Sequence, residues 1–337
     1  MKNKSICFPH LPSTIGGPAS FQTRLINEMK NRNWEICYPD KNNNKNIILI
    51  IGGTSKLFWL LLQKIRGTKI ILRLDGINWA HKLKLSKMKL KTRIKAELQN
   101  HLIKLIFKYF CDHIVYQSNF AKNIWEKRMK VKRNTIIYNS VDTKIIGNSN
   151  SLNNRTPKLL CVEGSISDSN FNFNTIIDLC NVLTKEKRIR EFIIIGRIND
   201  EDRLFFNAHC QQITFKGVLE RDEVLKYYPN SLFLSMDINA ACPNTVIESM
   251  ASGSPVIGYN TGALSELVTP DAGILADYVT DPWNLDEPNS DNLILAAKEV
   301  LDDWQTFSNN ARDRAVQNFD INDMTDKYIN IFEQHID

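Results

Sequence analysis

The 337 residues are 43% hydrophobic, 9% aromatic and 24% charged; at about 150 residues per domain this is material for roughly two packed cores, and it excludes extended disorder and a collagen-like repeat. The net charge of +6 hides a division: through residue 160, 30 Lys and Arg stand against 8 Asp and Glu, a balance of +22, and the rest of the chain carries −16. Such asymmetry implies two domains with different partners, the basic one suited to phosphates or anionic lipid headgroups. Nucleic acid is not expected as that partner, because no recognition module and no interleaved basic and aromatic platform accompanies the charge.

At the N-terminus, MKNKSICFPHLPS meets proline before an apolar stretch of signal-peptide length develops, so export is not expected. Seven cysteines, an odd number with no Cys-x-x-Cys pair, agree with a reducing, cytoplasmic setting. His10 closes the first strand-like run, SICFPH, and as a lone histidine is read as a hydrogen-bonded loop residue. Residues 47–65 are apolar over nearly the length of a membrane span. Gly52, Gly53, Thr54, Ser55 and Lys56 divide them into a short buried strand and an amphipathic helix, the strand-turn-helix pattern of a parallel sheet. KIILRLDG follows as the next strand. Beyond it, Leu90, Ile94, Leu98, Leu102, Leu105 and Tyr109 recur at helical spacing, and Lys82, Lys84, Lys87, Lys89, Lys91, Arg93 and Lys95 crowd the start of that segment. Such a segment either lies in the headgroup region of an anionic membrane, as a peripheral contact, or forms a domain helix with a solvated charged face. Both readings stand.

Strand-like runs at residues 113–117 and 135–138 complete a parallel, doubly wound α/β domain over 1–150. The Asn-, Ser- and Gly-rich stretch DTKIIGNSNSLNNRTP, residues 142–157, marks the boundary. A second α/β series fills 151–320, with strands in KLLCVEG, EFIIIG, QITFKG, SLFLSMD and SPVIGY, and residues 321–337 form a C-terminal helix that packs back on the first domain. Open parallel sheets bind ligands at the carboxyl ends of their strands, so chemistry is expected in the loops after these strands. Two such domains facing each other would enclose one central cleft.

The most informative stretch is PNTVIESMASGSPVIGYNTG, residues 243–262. Pro243 and Asn244 suit a helix start, where backbone N–H groups and the helix dipole favour an anion such as pyrophosphate. Glu248 falls one turn further in, within reach of the sugar hydroxyls of a nucleotide whose phosphates sit at that start. With its neighbours this stretch resembles the retaining, family 4 glycosyltransferases of the GT-B fold, the glycosyl transferases group 1. IGGPASF (15–21) is similar to their glycine-rich N-terminal loop, and CPNTVIESMASGSPVIG (242–258) to their nucleotide-binding helix. NTGALSELV (260–268) is similar to the loop that follows, and FKGVLERDEVLKYYPNS (215–231) to their strand and helix beside the base pocket.

The resemblance implies two doubly wound Rossmann-like α/β domains, a hexosyltransferase-type enzyme, a nucleotide diphosphate sugar as donor and a glycan or lipid-linked acceptor. Surface polysaccharide or glycan assembly at the inner face of the membrane is the setting it suggests. It implies no further cofactor, and no Asp-x-Asp signature in a post-strand loop calls for a metal. It assigns the donor ribose to Glu248, the diphosphate to the backbone at Asn244 and Thr245, and closure over the donor to Gly16 and Gly17. Gly164, at the end of the second domain's first strand, joins the donor-binding set.

Three departures accompany the resemblance. Ala240 takes the place of the first carboxylate of the family's paired-glutamate motif, Ser165 and Asn170 stand where Arg and Lys usually face the diphosphate, and Asp75 stands where a histidine is common. Arg197, after EFIIIG, and Lys216 are the candidates to replace the lost cations at the departing diphosphate. Asp75 and Arg73, with Trp79 and His81, either line the acceptor side or form a structural ion pair. Two rival functions remain: a non-catalytic nucleotide-sugar-binding partner, which Ala240, Ser165 and Asn170 make plausible, and a GT-B nucleotide-sugar epimerase, against which the missing acidic pair and the basic first half argue for a separate acceptor.

Overall fold

The computed structural model describes residues 4–13, 16–39, 47–83, 90–130, 132–144, 146, 156–167 and 172–336. The chain divides into two compact units, Met1–Asn139 with Ile321–Asp337, and Ser140–Asp320. Among the described residues each unit carries a six-stranded parallel sheet.

The first unit runs β1 (Ser5–Cys7), α1 (Gly17–Asn31), β2 (Glu35–Cys37), β3 (Ile47–Ile51), α2 (Leu57–Ile65), β4 (Lys69–Leu74), α3 (Leu90–Tyr109), β5 (His113–Tyr116), α4 (Asn119–Glu126) and β6 (Asn134–Ile136). Its strand order is β2-β1-β3-β4-β5-β6. Ile47 and Leu49 of β3 pack on the side of α1 residues Phe21 and Leu25, whereas Ile48 and Ile50 pack with Leu60 of α2, Ile106 of α3 and Trp125 of α4. Burial on both faces is why this strand is a continuous apolar run in the sequence.

Two helices of this unit turn apolar residues outward. α3 buries Asn100, Ile103, Ile106 and Phe107, while the stripe legible in the sequence, Leu90, Ile94, Leu98, Leu105 and Tyr109, is between 42% and 72% exposed. α2 buries Leu60 and Gln63 and exposes Phe58, Leu61, Leu62 and Ile65, which share one side of a helix by their spacing. Among the described residues no helix is long and apolar enough to cross a membrane.

The second unit runs β7 (Lys158–Ser165), α5 (Phe173–Lys185), β8 (Phe192–Arg197), α6 (Asp200–His209), β9 (Ile213–Gly217), α7 (Arg221–Leu225), β10 (Ser231–Ser235), α8 (Asn244–Ala251), β11 (Val256–Tyr259), α9 (Leu264–Leu267), β12 (Gly273–Ala276), α10 (Ser290–Asp302) and α11 (Trp304–Asn318). The order is β12-β11-β10-β7-β8-β9, and its core joins Leu159 and Cys161 of β7 to Leu179 and Leu183 of α5 and Leu293 and Ala297 of α10.

The chain enters the second unit at Ser140, ahead of the boundary drawn at residue 150. Val141 bridges to Asp320, and Arg312 of α11 donates to the carbonyl oxygens of Thr143 at 2.6 Å and Ile146 at 3.3 Å, which binds this segment to the later unit. Most of the polar stretch 142–157 lies outside the described residues. The last helix, α12 (Ile321–Ile336), returns to the first unit, where Tyr328 meets Phe21 and Phe332 meets Trp34 with ring centroids 5.5 and 5.6 Å apart.

His113 in β5 is 2% exposed, with Nε2 3.0 Å from Thr135 Oγ1 and Nδ1 3.4 Å from His335 Nε2. Burial, followed by the facing His335 and Arg133, lowers its imidazole to about 4. A histidine depressed in the folded state contributes stability above its unfolded value of about 6.5 and loses it as pH falls toward the folded value. Wild-type protein should therefore lose about 2 kcal/mol through this group between pH 7 and pH 5, and His113→Gln should not. Urea denaturation at both pH values measures the difference, and equal pH slopes in the two proteins would place the titration elsewhere.

Candidate active site

In the second unit β7 lies between β10 and β8: the chain leaves β7 toward one side of the sheet and later returns to its other side. The crevice outside the carboxyl ends of such a pair is where open α/β sheets bind ligands. Gly164 and Ser165 end β7 on one side of that point. The loop after β10, followed by α8, forms the other.

Close backbone packing shapes both sides. Gly196 of β8 has φ 147, and a Cβ there would stand 2.2 Å from the Glu163 carbonyl oxygen. Its absence lets β8 close on β7 where the register shifts, which sets Ser165 opposite Arg197. Gly262 has φ 63, and a Cβ would lie 2.5 Å from the Ala240 carbonyl oxygen; Ala263 donates its N–H to that same oxygen at 2.8 Å. The glycine of the NTGA segment thus holds the backbone of the loop that leads into α8, at the position where the first carboxylate of the pair is replaced by buried Ala240.

Pro243 is the N-cap of α8, and the first helical N–H groups, those of Asn244 and Thr245, have no acceptor within the helix. Val246, Ile247, Met250 and Ala251 bury its inner side. Glu248 is only 4% exposed. Arg221 of α7 places Nη1 2.7 Å from its Oε1, and the Tyr228 hydroxyl donates to Oε2 at 3.1 Å. These contacts hold both carboxylate oxygens in place. Burial, and after it the neighbouring Glu248, raises the Tyr228 phenol well above its ordinary value, which keeps it protonated as the donor. Sequence reasoning passed over Arg221 and Tyr228, because ERDEVLK has the mixed charge of a solvated helix.

The two cation candidates are not equivalent. Arg197 is exposed at the end of β8, one strand from β7, whereas Lys216 is exposed on the edge strand β9, two strands away. With strands about 4.8 Å apart, Arg197 is the nearer to the switch point. Asn170 lies outside the described residues. Sequence reasoning also missed Glu163 of β7, whose carboxyl is raised well above its ordinary value by burial and then by Asp237. A carboxyl so raised carries less negative charge beside the β7 terminus.

Asp75 has a different surrounding. Arg73 is 1% exposed, with Nη1 2.7 Å from Asp75 Oδ1 and Nη2 2.5 Å from Asn139 Oδ1, and its guanidinium lies 3.7 Å over the Phe21 ring. Gln117 donates to Asp75 Oδ1 and accepts from Asn139 at 3.1 Å. The structural ion pair among the sequence readings forms: Asp75 is the counter-ion of a buried arginine. His81 Nε2 lies 2.8 Å from Glu97 Oε2, and Trp79 packs against the core beneath α2, α3 and α4. Gly16 is the N-cap of α1 and Gly17 its first residue. Among the described residues no group of three or more His, Cys, Asp and Glu is placed to hold a metal ion.

Two doubly wound units, with a helix N-terminus at the switch point of the second, give the GT-B fold of sugar transferases. Sucrose-phosphate synthase from Thermosynechococcus elongatus matches it with TM-score 0.73 and 14% identity, over 98% of this chain and 98% of that one. A glycosyltransferase from Rickettsia africae matches at 0.68 and 14%, over 100% and 99%, and Anabaena HepE in complex with UDP-glucose at 0.69 and 12%, over 98% and 99%. At such identities the likeness is one of fold. Residues 148–318, half of the chain, match the glycosyl transferases group 1. The protein belongs to that family and is a glycosyltransferase. No curated protein matches it significantly in sequence.

Removing the counter-ion of a buried arginine should be felt in stability. Asp75→Ala is expected to lower the unfolding free energy by about 2–4 kcal/mol while leaving nucleoside diphosphate affinity unchanged, as read by urea denaturation and titration calorimetry. An unchanged denaturation midpoint would show that the Arg73 network does not support the fold.

Proposed function

We propose that the second unit binds a nucleotide diphosphate sugar at the β7/β10 switch point, and that the protein transfers the sugar to an acceptor hydroxyl with retention of configuration, as a family 4 enzyme. Glu248 carries this reading: a carboxylate one turn into the helix that starts at the crevice, buried and held by Arg221 and Tyr228. It suits the ribose hydroxyls, while the N–H groups of Asn244 and Thr245 suit the diphosphate. Gly164 offers exposed backbone at the end of β7. HepE, solved with UDP-glucose, supports a nucleotide sugar as the donor class.

In the retaining reaction the acceptor oxygen bonds to the anomeric carbon on the face the leaving group vacates. The bond from that carbon to the diphosphate breaks, and a phosphate oxygen of the leaving group takes the acceptor's proton. The protein supplies position and charge rather than a nucleophile. Arg197 stabilises the charge that develops on the diphosphate, and the raised Glu163 carboxyl lessens repulsion there. The outward apolar stripes of α2 and α3, flanked by lysines, support peripheral contact with an anionic membrane, and with it glycan assembly at the cytoplasmic face.

Glu248→Ala should weaken UDP-glucose binding about 10- to 150-fold and, by orphaning the Tyr228 hydroxyl, cost about 1–3 kcal/mol of stability. Tyr228→Phe separates the two effects, since it keeps the carboxylate that meets the ribose and its affinity should fall far less than that of Glu248→Ala. Calorimetry showing equal affinity for wild type and Glu248→Ala would leave Glu248 a purely structural role.

Arg197→Met should lower turnover about 100- to 1000-fold with a smaller change in donor affinity, and Lys216→Met should change turnover little. Nucleotide release with an acceptor present measures both. Loss confined to Lys216→Met would move the charge-stabilising role to the edge strand.

A further inference from the structure

All seven cysteines are buried, and their sulfurs meet two kinds of surrounding. Cys7 and Cys37 are register partners in β1 and β2, yet each thiol is turned to a carbonyl oxygen, that of Phe8 at 3.9 Å and that of Ile6 at 3.5 Å. Cys111 lies 3.0 Å from the Phe107 carbonyl oxygen, and burial pushes its thiol up to about 11. Cys161 is raised well above its ordinary value by burial and then by Glu163. Thiols raised in this way are inert, because the thiolate is the reactive form.

In the other surrounding sulfur faces sulfur. Cys180 lies in α5 and Cys210 caps the end of α6, just before β9, with their Sγ atoms 2.8 Å apart. An S–S bond is about 2.05 Å long, so an approach of about 0.8 Å would join them. The two segments are already tied beside this contact, where Asn181 of α5 donates Nδ2 to the His209 carbonyl oxygen at 3.0 Å. The contact also separates the two thiols chemically. Hydrogen bonding with Cys180 lowers Cys210 to about 7 against the effect of burial, whereas the same hydrogen bond, and then burial, raises Cys180 far above its ordinary value. One sulfur is thus a ready thiolate and the other a proton-bearing thiol at its side, the arrangement of a nucleophile and its resolving partner. Cys210 itself is 2% exposed, but His209, Gln211 and Gln212 around it are exposed, so its sulfur lies at the rim of the core, within reach of a small oxidant.

We propose that Cys180 and Cys210 form a redox site, which a hydroperoxide closes into a reversible disulfide that braces α5 against the α6–β9 edge of the second unit. The Cys210 thiolate attacks one oxygen of hydrogen peroxide. The O–O bond breaks, the departing hydroxide takes up a proton as water, and Cys210 becomes a sulfenic acid. The Cys180 sulfur then attacks the Cys210 sulfur: the S–S bond forms, the S–O bond breaks, and the Cys180 proton leaves with that oxygen as a second water. Two thiols and one peroxide give one disulfide and two waters. Excess thiol reopens the bridge by exchange, as suits a transient, redox-sensing pair in a reducing setting. The link joins positions 30 residues apart and so constrains the unfolded chain. It lies at the amino end of β9, whereas the proposed donor site lies at carboxyl ends of strands, and it does not depend on that reading.

Oxidation of the full chain with a small excess of hydrogen peroxide, ended with catalase, tests this. Thiol titration in denaturant should find two fewer thiols than in the reduced protein, restored by dithiothreitol, and peptide mapping by mass spectrometry should find Cys180 joined to Cys210. The oxidised protein should unfold at a urea concentration higher by on the order of 1 M. Cys210→Ala should abolish both the paired loss of thiols and the shift, and Cys37→Ala should keep both. Mapping of the wild-type protein decides the pairing even where a variant fails to fold. A bridge between other cysteines, thiols lost beyond recovery by dithiothreitol, or a midpoint unchanged or lowered by oxidation would overturn the proposal.

Discussion

Parallel strands all end on the same side of their sheet, and a strand order that reverses beside the first strand leaves a crevice there that no crossover helix covers. Both units obey this constraint, at β1/β3 in the first and β7/β10 in the second. The chemistry around the two crevices differs. His10, Thr54 and two lysines of α3 border the first, whereas a helix N-terminus with a buried carboxylate one turn in borders the second. A second half carrying −16 can still hold a diphosphate, because backbone N–H groups and the helix dipole attract an anion without side-chain cations.

The Arg221–Glu248–Tyr228 cluster shows how a carboxylate is held while buried. A buried ion pair is weak evidence of stability, since desolvation offsets much of the attraction. Its clearer effect here is geometric: two partners on separate segments hold both oxygens of Glu248 in place, which in the proposed donor site leaves little reorganisation for binding. Gly196 and Gly262 do the same for backbone, each allowing a carbonyl to approach where a Cβ would collide.

Much of this was legible in the sequence for physical reasons. The central strands β3 and β4 coincide with the apolar runs at 47–51 and 69–74, because burial on both faces leaves no polar interruption. The start of α8 was legible because Pro243 can cap a helix but not continue one backward. The edge strands β2 and β12 were not, being only 3 and 4 residues long and partly exposed. Periodicity found the stripe on α3 but not its direction, since Ile103, Ile106 and Phe107 form a second apolar side and are the ones buried. The Arg73–Asp75 pair stayed open until Arg73 proved to be buried, and Arg221 was invisible because its partner lies on a different element.

That the donor's diphosphate rests on the α8 N-terminus beside the end of β7 can be tested by amide hydrogen exchange with and without UDP-glucose. Slowed exchange is expected at residues 163–166 and 244–248, with β9 and the 53–56 loop unchanged. A nucleotide sugar that binds while residues 244–248 exchange as before, or that protects only the first unit, would contradict this placement of the donor.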